Sequence, residues 1–283
     1  MTAGESIGFT VTQSQRLREL GADEAKIVPT FASSAQRDEA FGELERELTG
    51  AGRRQLEELR AGPRTPLLRL LETALRGAVT SLGFVEVATP AIVSAEALDK
   101  MGITGGDPLR DQVFWVARDR CLRPMLAPNL YTLLRRLART WPQPFGIFEI
   151  GSCWRRDSKG GRHLNEFTML NLVELGTRLD ERDTRLRELV TAVMIAAELT
   201  NYALETTDSD VYGKTIDVVA GGVEVCSTAV GPLPLDDAWG IVDPWVGLGF
   251  GLERLLLVRE GGAGAIERFG RSTSYLSGAR LNL

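Results

Sequence analysis

Three stretches of the chain carry polar side chains where an ordinary core strand would carry none. Residues 147–155 alternate as a strand, with Glu149, Gly151, Cys153 and Arg155 on one face. The expected return strand, 167–175, gathers Phe167, Asn171 and Val173 on one face, and the polar segment 157–163 between the two is too long for a tight turn. A face bearing Glu, Arg, Asn and an aromatic ring is not a hydrophobic core face. The residues alone fit a ligand-binding surface and a solvent-exposed sheet with a surface ion pair equally well. In the second stretch, 245–254, Gly247, Gly249 and Gly251 strip one strand face to a flat backbone floor. Arg254 then sits in the first turn of a helix, opposing its dipole, which suggests an anion nearby. A merely structural glycine-rich strand would not account for that arginine. In the third, strands 215–219 and 223–227 flank Gly221-Gly222, a hairpin signal. Glu224 lies there in an apolar strand, where a buried carboxylate needs a cation or a donor. A hard ion such as Mg²⁺ would suit Glu224 together with the Ser227 hydroxyl. Their spacing puts them on opposite faces of a regular strand, so they share an ion only if the strand ends or bulges between them. By itself, an edge-strand glutamate is the plainer reading.

Other chemistries are excluded by what is missing. The one histidine, His163, has no G-x-S-x-G beside it, so a Ser-His-Asp triad is not supported. Cys121, Cys153 and Cys226 are widely spaced without a C-x-x-C pair, which argues against a disulfide framework or a zinc site. A dinucleotide-binding G-x-G-x-x-G fails at Leu252, and no Walker-type phosphate loop exists. Net charge is −5, so RNA would have to meet a local basic surface rather than the chain as a whole. Arg53, Arg54, Arg60 and Arg64 are the available cluster, although interleaved charges of both signs read more simply as a solvated helical face. No apolar run approaches the roughly 18 residues of a membrane span. Residues 1–9 have neither a basic start nor an apolar segment, so a cytoplasmic protein is expected.

The elements that must position these residues follow from apolar spacing. Helices are expected over 14–20 and 35–60, the latter interrupted by Gly50 and Gly52. The breaker cluster 61–66 marks a boundary between an N-terminal helical extension, 1–60, and a main domain, 61–283. An amphipathic helix over 67–82 is closed by Gly83, followed by a strand over 84–88. Further helices are expected over 129–140, over 183–205 and after Gly251. Hairpins separated by helices favour an α+β fold over a doubly wound sheet.

Together these segments resemble the three signature motifs of class II aminoacyl-tRNA synthetases. The helix before Gly83 and the strand running to Pro90 resemble the first. Phe148-Glu149-Ile150-Gly151, Trp154-Arg155 and Asn165-Glu166-Phe167-Thr168 resemble the second, and Gly249-Phe250-Gly251-Leu252-Glu253-Arg254 the third. A closer similarity is to the catalytic domain of the pyrrolysyl-tRNA synthetase family. It is carried by Cys121-Leu-Arg-Pro-Met-Leu-Ala-Pro-Asn-Leu-Tyr131, Phe167-Thr-Met-Leu-Asn171, Val211-Tyr212-Gly213 and Asp243-Pro-Trp-Val-Gly247, and it runs from about Ser14 to Leu283. The separate N-terminal tRNA-binding domain of some members has no counterpart in this sequence.

The resemblance implies an antiparallel sheet flanked by helices, a homodimer through the first motif, and ATP and Mg²⁺ as cofactors. It implies activation of pyrrolysine, or a related Nε-acylated lysine, and its transfer to a cognate pyrrolysine tRNA. Arg155, Glu224 and Arg254 would be catalytic, with Arg155 on the α-phosphate. Adenine would lie between Phe167 and Arg254, edged by His163, Leu164 and Glu166, with Asp157 also at the nucleotide. Glu224 and Ser227 would meet Mg²⁺. The amino acid would be held by Met125, Leu126, Ala127, Leu130, Tyr131, Leu134, Asn171, Val173, Trp245 and Gly247, with Asn171 on its side-chain amide and Tyr212 on a closing loop. The helices of 14–60 would contact the tRNA body, and a separate protein could supply the missing tRNA-binding domain. Three features depart from the family. Asp157 replaces a glutamate, Val173 stands where a smaller or more polar residue is common, and Thr228 and Ala229 differ, the last three at positions that shape the pocket. Two alternatives stay open: the same reaction with another amino acid, for instance an aromatic one, and a non-catalytic synthetase-derived RNA-binding or regulatory protein.

Overall fold

Polar caps open the helices where the apolar spacing begins. The Thr10 hydroxyl accepts from the Gln13 backbone N–H while the Gln13 side chain accepts from that of Thr10, a reciprocal cap on α1 (Val11–Glu19). Asp23 caps α2 (Glu24–Ile27) and Ser33 caps α3 (Ser34–Ala61). The computed structural model describes residues 7–156, 164–209, 211–261 and 265–281. Along the chain there follow α4 (Leu67–Ser81), β1 (Val85–Glu86), β2 (Ile92–Ser94), α5 (Ala95–Asp99), α6 (Pro108–Asp111), β3 (Trp115–Ala117), β4 (Arg120–Leu122) and α7 (Ala127–Leu137). Next come β5 (Phe145–Trp154), β6 (Glu166–Leu175), α8 (Arg182–Ala196), β7 (Ala203–Ser209), β8 (Gly213–Ala220) and β9 (Val223–Gly231). A short 3₁₀ turn, Pro234–Trp239, leads to β10 (Trp245–Gly251), α9 (Leu252–Arg259), β11 (Tyr275–Leu276) and β12 (Ala279–Arg280).

The chain divides into two compact units. One comprises the described residues of 1–70 and 256–283, so the N-terminal helices share it with the C-terminal segment. Its small core sets Phe41, Leu44 and Leu48 of α3 against Leu17, Ala22 and Ile27. The Gln55 side-chain amide of α3 donates to the Ser277 carbonyl, and Arg280 pairs with Glu19 at 2.6 Å. The expected interruption at Gly50 and Gly52 does not occur, and α3 runs unbroken for 28 residues. Each glycine costs about 1 kcal/mol in a helix. The packed turns before them and the Gln55 anchor after them offset that cost.

The other unit comprises the described residues of 71–158 and 164–255. It holds a seven-stranded sheet of order β1-β5-β6-β10-β9-β8-β7, antiparallel except for the β1–β5 edge pair. A three-stranded sheet, β2-β4-β3, lies within the same unit. On one sheet face, Ile147, Val173, Ala229 and Trp245 pack with α7 residues Leu130, Tyr131 and Leu134. The alternate residues Phe148, Leu170 and Phe250 are fully buried on the other face. Helix α4 stops as expected: Gly83 has φ +88° and its N–H donates to the Thr80 carbonyl. The strand expected over 84–88 pairs only at Val85 and Glu86. The helix expected over 183–205 is a correction. It ends at Ala196, and the residues from Ala203 pair with β8 instead. No Gly or Pro marks that stop, and β7 is a largely exposed edge strand whose polar sequence hides its period.

Candidate active site

Register builds the site first. Directly paired residues of an antiparallel ladder project to the same side. Glu149, Asn171, Gly249, Ser227 and Asp217 are paired in that order across β5, β6, β10, β9 and β8, and so form one transverse row. The condition attached to Glu224 and Ser227 is met on β9. Val218 pairs with Cys226 and Val219 with Glu224, leaving Val225 as the extra residue of a bulge. That single insertion brings Glu224 round to the face of Ser227 and Asp217. The Asp217 Oδ2 accepts from Thr207 at 2.8 Å, while its buried Oδ1 has no partner among the described residues.

A cavity of about 160 Å³ opens on this face. Ten of the expected amino-acid-binding residues line it: Met125, Ala127, Leu130, Tyr131, Leu134, Asn171, Val173, Tyr212, Trp245 and Gly247. Leu126 is fully buried and does not reach the lining. Arg155 and Ser227, expected at the nucleotide, line the cavity too. Thr228 and Ala229, expected to shape the pocket, line it as well, and so do Met169, Leu172, Leu248 and Gly249, which the sequence does not mark as ligand contacts. Among the described residues the lining contains no carboxylate, and its one side-chain amide is Asn171. The buried Oδ1 of Asn171 has no hydrogen-bond partner among the described residues. An unpaired buried acceptor costs on the order of 1–3 kcal/mol, and a ligand donor would remove that cost. The flat floor is real: a Cβ at Gly249 would stand 3.2 Å from the Asn171 Nδ2, and one at Gly247 only 2.9 Å from the Trp245 ring.

Charged groups flank the cavity. The Arg155 guanidinium lies 5.4 Å above the Phe167 ring, and its Nε donates to the Pro124 carbonyl at 2.8 Å. Leu164 and Glu166 lie at the entry to β6 and are half-buried. Arg254 donates to the Glu224 carbonyl at 3.0 Å and approaches its carboxylate at 3.4 Å. Both side chains are substantially exposed there, so the pair itself contributes little stability. Asp157 and His163 lie outside the described residues. Burial raises the Tyr131 and Tyr212 hydroxyls well above the ordinary phenol range, with the Asp236 charge adding to both, so both rings remain neutral.

Supporting residues escaped the sequence reading. Glu149 was placed on the hairpin face, but its partner is Arg123 at 2.7 Å, with side chains 4% and 5% exposed. Thr89 joins that pair: its hydroxyl donates to Glu149 at 2.6 Å and accepts from Asn129 at 2.8 Å. Arg123 also donates to the Ser152 carbonyl. The Glu253 carboxylate accepts the Thr168 N–H at 2.9 Å, tying the start of α9 to β6. A buried Asp236 holds Tyr131 and Trp245. Apart from the Asp236–Trp245 bond, nine residues apart, each is a long-range pairing with no local spacing signal.

The model of the phenylalanyl tRNA synthetase beta chain CLM domain matches residues 56–229. Threonine–tRNA ligases from Wolbachia sp. subsp. Brugia malayi (strain TRS) and Wolbachia sp. subsp. Drosophila simulans (strain wRi) are 29% identical over 102 residues. Those stretches span 34% of this chain and only 16% of each ligase. Among solved structures, the PylSc pyrrolysyl tRNA synthetase of Desulfitobacterium hafniense is similar at TM-score 0.92 and 51% identity, covering 98% of this chain and 99% of that one. A second structure of pyrrolysyl-tRNA synthetase from that organism gives TM-score 0.93 and 50% identity, with the same coverage.

Proposed function

The chain belongs to the pyrrolysyl-tRNA synthetase family of class II aminoacyl-tRNA synthetases, and from that premise we propose that it activates pyrrolysine, or a closely related Nε-acylated lysine, with ATP and transfers it to the 3′ end of a cognate tRNA. The observation that carries the substrate is the apolar cavity with one amide whose buried oxygen lacks a partner. Free lysine would need an anion for its ammonium, and the described residues of the lining offer none. An acylated lysine brings a long apolar stem and an amide whose N–H can satisfy Asn171.

Adenylate formation is an in-line attack of the substrate carboxylate on the α-phosphorus, with pyrophosphate leaving. It requires no proton acceptor, which suits a chain with a single histidine. Positioning and charge neutralisation carry such a step. Arg155 would hold the α-phosphate; its guanidinium donates to the Pro124 carbonyl and lies over the Phe167 ring. Adenine would lie between Phe167 and Arg254, edged by Leu164 and Glu166, and the resemblance adds His163 and Asp157 as nucleotide contacts. Glu224 and Ser227 would hold Mg²⁺. Their hard oxygen donors share a face through the bulge at Val225. Among the described residues no three acidic, cysteine or histidine side chains cluster to hold a metal. When bound, magnesium neutralises phosphate charge.

A homodimer would cover the half-exposed Leu82, Val85 and Ile92 around β1 and β2. The N-terminal helices would meet the tRNA body, and a separate tRNA-binding protein would complete its recognition. Among the described residues no helix is long and apolar enough to cross a membrane. Charging a tRNA for protein synthesis would put its work in the cytoplasm. A second substrate class, aromatic amino acids, is kept because Tyr131, Tyr212 and Trp245 could pack edge-on against a ring as they do against one another.

ATP–pyrophosphate exchange with pyrrolysine, Nε-Boc-lysine, lysine, phenylalanine and no amino acid decides between them without any tRNA. Exchange with the first two alone, reduced at least a hundredfold by Arg155→Ala, is expected. A response to phenylalanine alone would keep the reaction and replace the substrate.

A further inference from the structure

Behind the cavity wall, in the 3₁₀ turn Pro234–Trp239, lies a carboxylate that touches no lining space yet holds two lining rings. Asp236 is 1% exposed. Its Oδ1 accepts from the Tyr131 hydroxyl at 2.8 Å. Its Oδ2 accepts from the Trp245 indole N–H at 2.8 Å and from the Leu233 backbone N–H at 2.7 Å. The rings are also held by packing. Tyr131 stacks on Trp239 with centroids 5.3 Å apart and meets Trp245 edge-on at 5.8 Å. Gly231 faces the indole so closely that a Cβ there would fall 1.8 Å from its nitrogen.

The consequence is chemical. Tyrosine and tryptophan each have one polar atom, and buried polar atoms must be satisfied. Here both point away from the cavity, so what the rings offer a ligand is hydrocarbon. Were the carboxylate absent, the Tyr131 hydroxyl would need a new partner, and the cavity is the adjoining free space. The ring would turn inward, shrinking the cavity and making its wall polar.

We infer that Asp236 is a positioning residue that sets the selectivity of the cavity for a long, apolar side chain, by keeping the Tyr131 hydroxyl and the Trp245 indole nitrogen out of it. This deepens the proposed substrate reading and rests on it. A carboxylate with three donors is a costly way to fill a core, and its geometry accounts for the cost: two oxygens fix two rings against one turn.

The test is steady-state ATP–pyrophosphate exchange with Nε-Boc-lysine and with lysine, alongside thermal unfolding, for the unmodified protein and five variants. Asp236→Ala should raise the KM for Boc-lysine at least tenfold, with the KM for ATP within twofold, and lower the preference for Boc-lysine over lysine. Asp236→Asn should stay within threefold of the unmodified protein. Its oxygen still accepts from Trp245 and Leu233, and its amide can donate to the Tyr131 oxygen. The double variant Tyr131→Phe/Asp236→Ala should recover at least threefold of the loss, because the released hydroxyl is gone. Should Asp236→Ala not fold, Tyr131→Phe and Tyr131→Phe/Asp236→Asn carry the test: the pair leaves the new amide without an acceptor, and its KM should exceed the product of the single effects. A folded Asp236→Ala with unchanged KM values overturns the inference. So does a lowered melting temperature with a reduced active fraction and no change in KM, or strictly multiplicative effects in the pair. An unmodified protein inert toward every amino acid would instead overturn the substrate reading beneath it.

Discussion

The Arg123–Glu149 pair shows how much one residue can hold at this site. Both side chains are almost fully buried, and Thr89, Asn129 and the Ser152 carbonyl are hydrogen-bonded into the same cluster. Removing one partner from a buried pair strands a charge and costs about 3–5 kcal/mol. Urea unfolding of Arg123→Leu should show a loss of that size. Arg123→Leu/Glu149→Leu should be destabilised by clearly less than either single change, because neither charge is then stranded. Equal losses in the double and single variants would mean that packing, not charge, matters there. Gly151 belongs to the same device, since a Cβ on it would lie 2.2 Å from the Arg123 guanidinium. From sequence, Glu149 could be placed on the correct face by its period of two. Its partner could not, because residues 26 apart on different elements share no local pattern. The same limit hid Asp236 and the Glu253 anchor on Thr168.

Among the elements, strands that carry the site were easier to read than helices that do not. The β5–β6 hairpin, the glycine floor of β10 and the β8–β9 hairpin all lie where their alternation and turn residues put them. What alternation could not supply was the bulge at Val225. It left only a condition, that Glu224 and Ser227 share a face if the strand breaks its period, and the register meets it. Helix ends were less legible: α8 stops nine residues short of the expected 205 with no breaker to mark the place. The glycine floor yields a test in which stability and function part company. Alanine in a strand interior is favoured over glycine by roughly 0.5–1 kcal/mol, so Gly249→Ala should melt no lower than the unmodified protein. Its Cβ would nevertheless stand 3.2 Å from the Asn171 amide and 3.4 Å from Met169. The expected outcome is a severalfold rise in the KM for Boc-lysine with the KM for ATP unchanged, read from exchange kinetics. A fall in melting temperature with both KM values intact would show that the floor serves packing rather than the ligand.

For the whole molecule, charge sets the terms of any encounter with RNA. The net charge is −5, so the protein as a body repels a polyanion, and attraction has to be local. Helix α3 carries Arg53, Arg54 and Arg60 exposed, on a helix with no fully buried residue. A helix of 28 residues that buries so little is stabilised by one apolar stripe and its ends, and the rest of its surface is available to a partner. Adenylate formation needs no tRNA, whereas transfer does, so the two halves of the reaction separate the two roles. Arg53→Glu/Arg54→Glu should leave ATP–pyrophosphate exchange unchanged and lower kcat/KM for tRNA in aminoacylation by at least tenfold. Each phosphate contact contributes about 0.7–0.9 to the slope of log affinity against log salt. Losing two such contacts should therefore flatten the salt dependence of tRNA binding by about 1.5. A variant that aminoacylates normally, with the same salt slope, would return α3 to the plainer reading of a solvated face and move the RNA surface elsewhere. A loss of exchange as well as aminoacylation would point to damage in folding, since neither arginine belongs to the chemistry of activation.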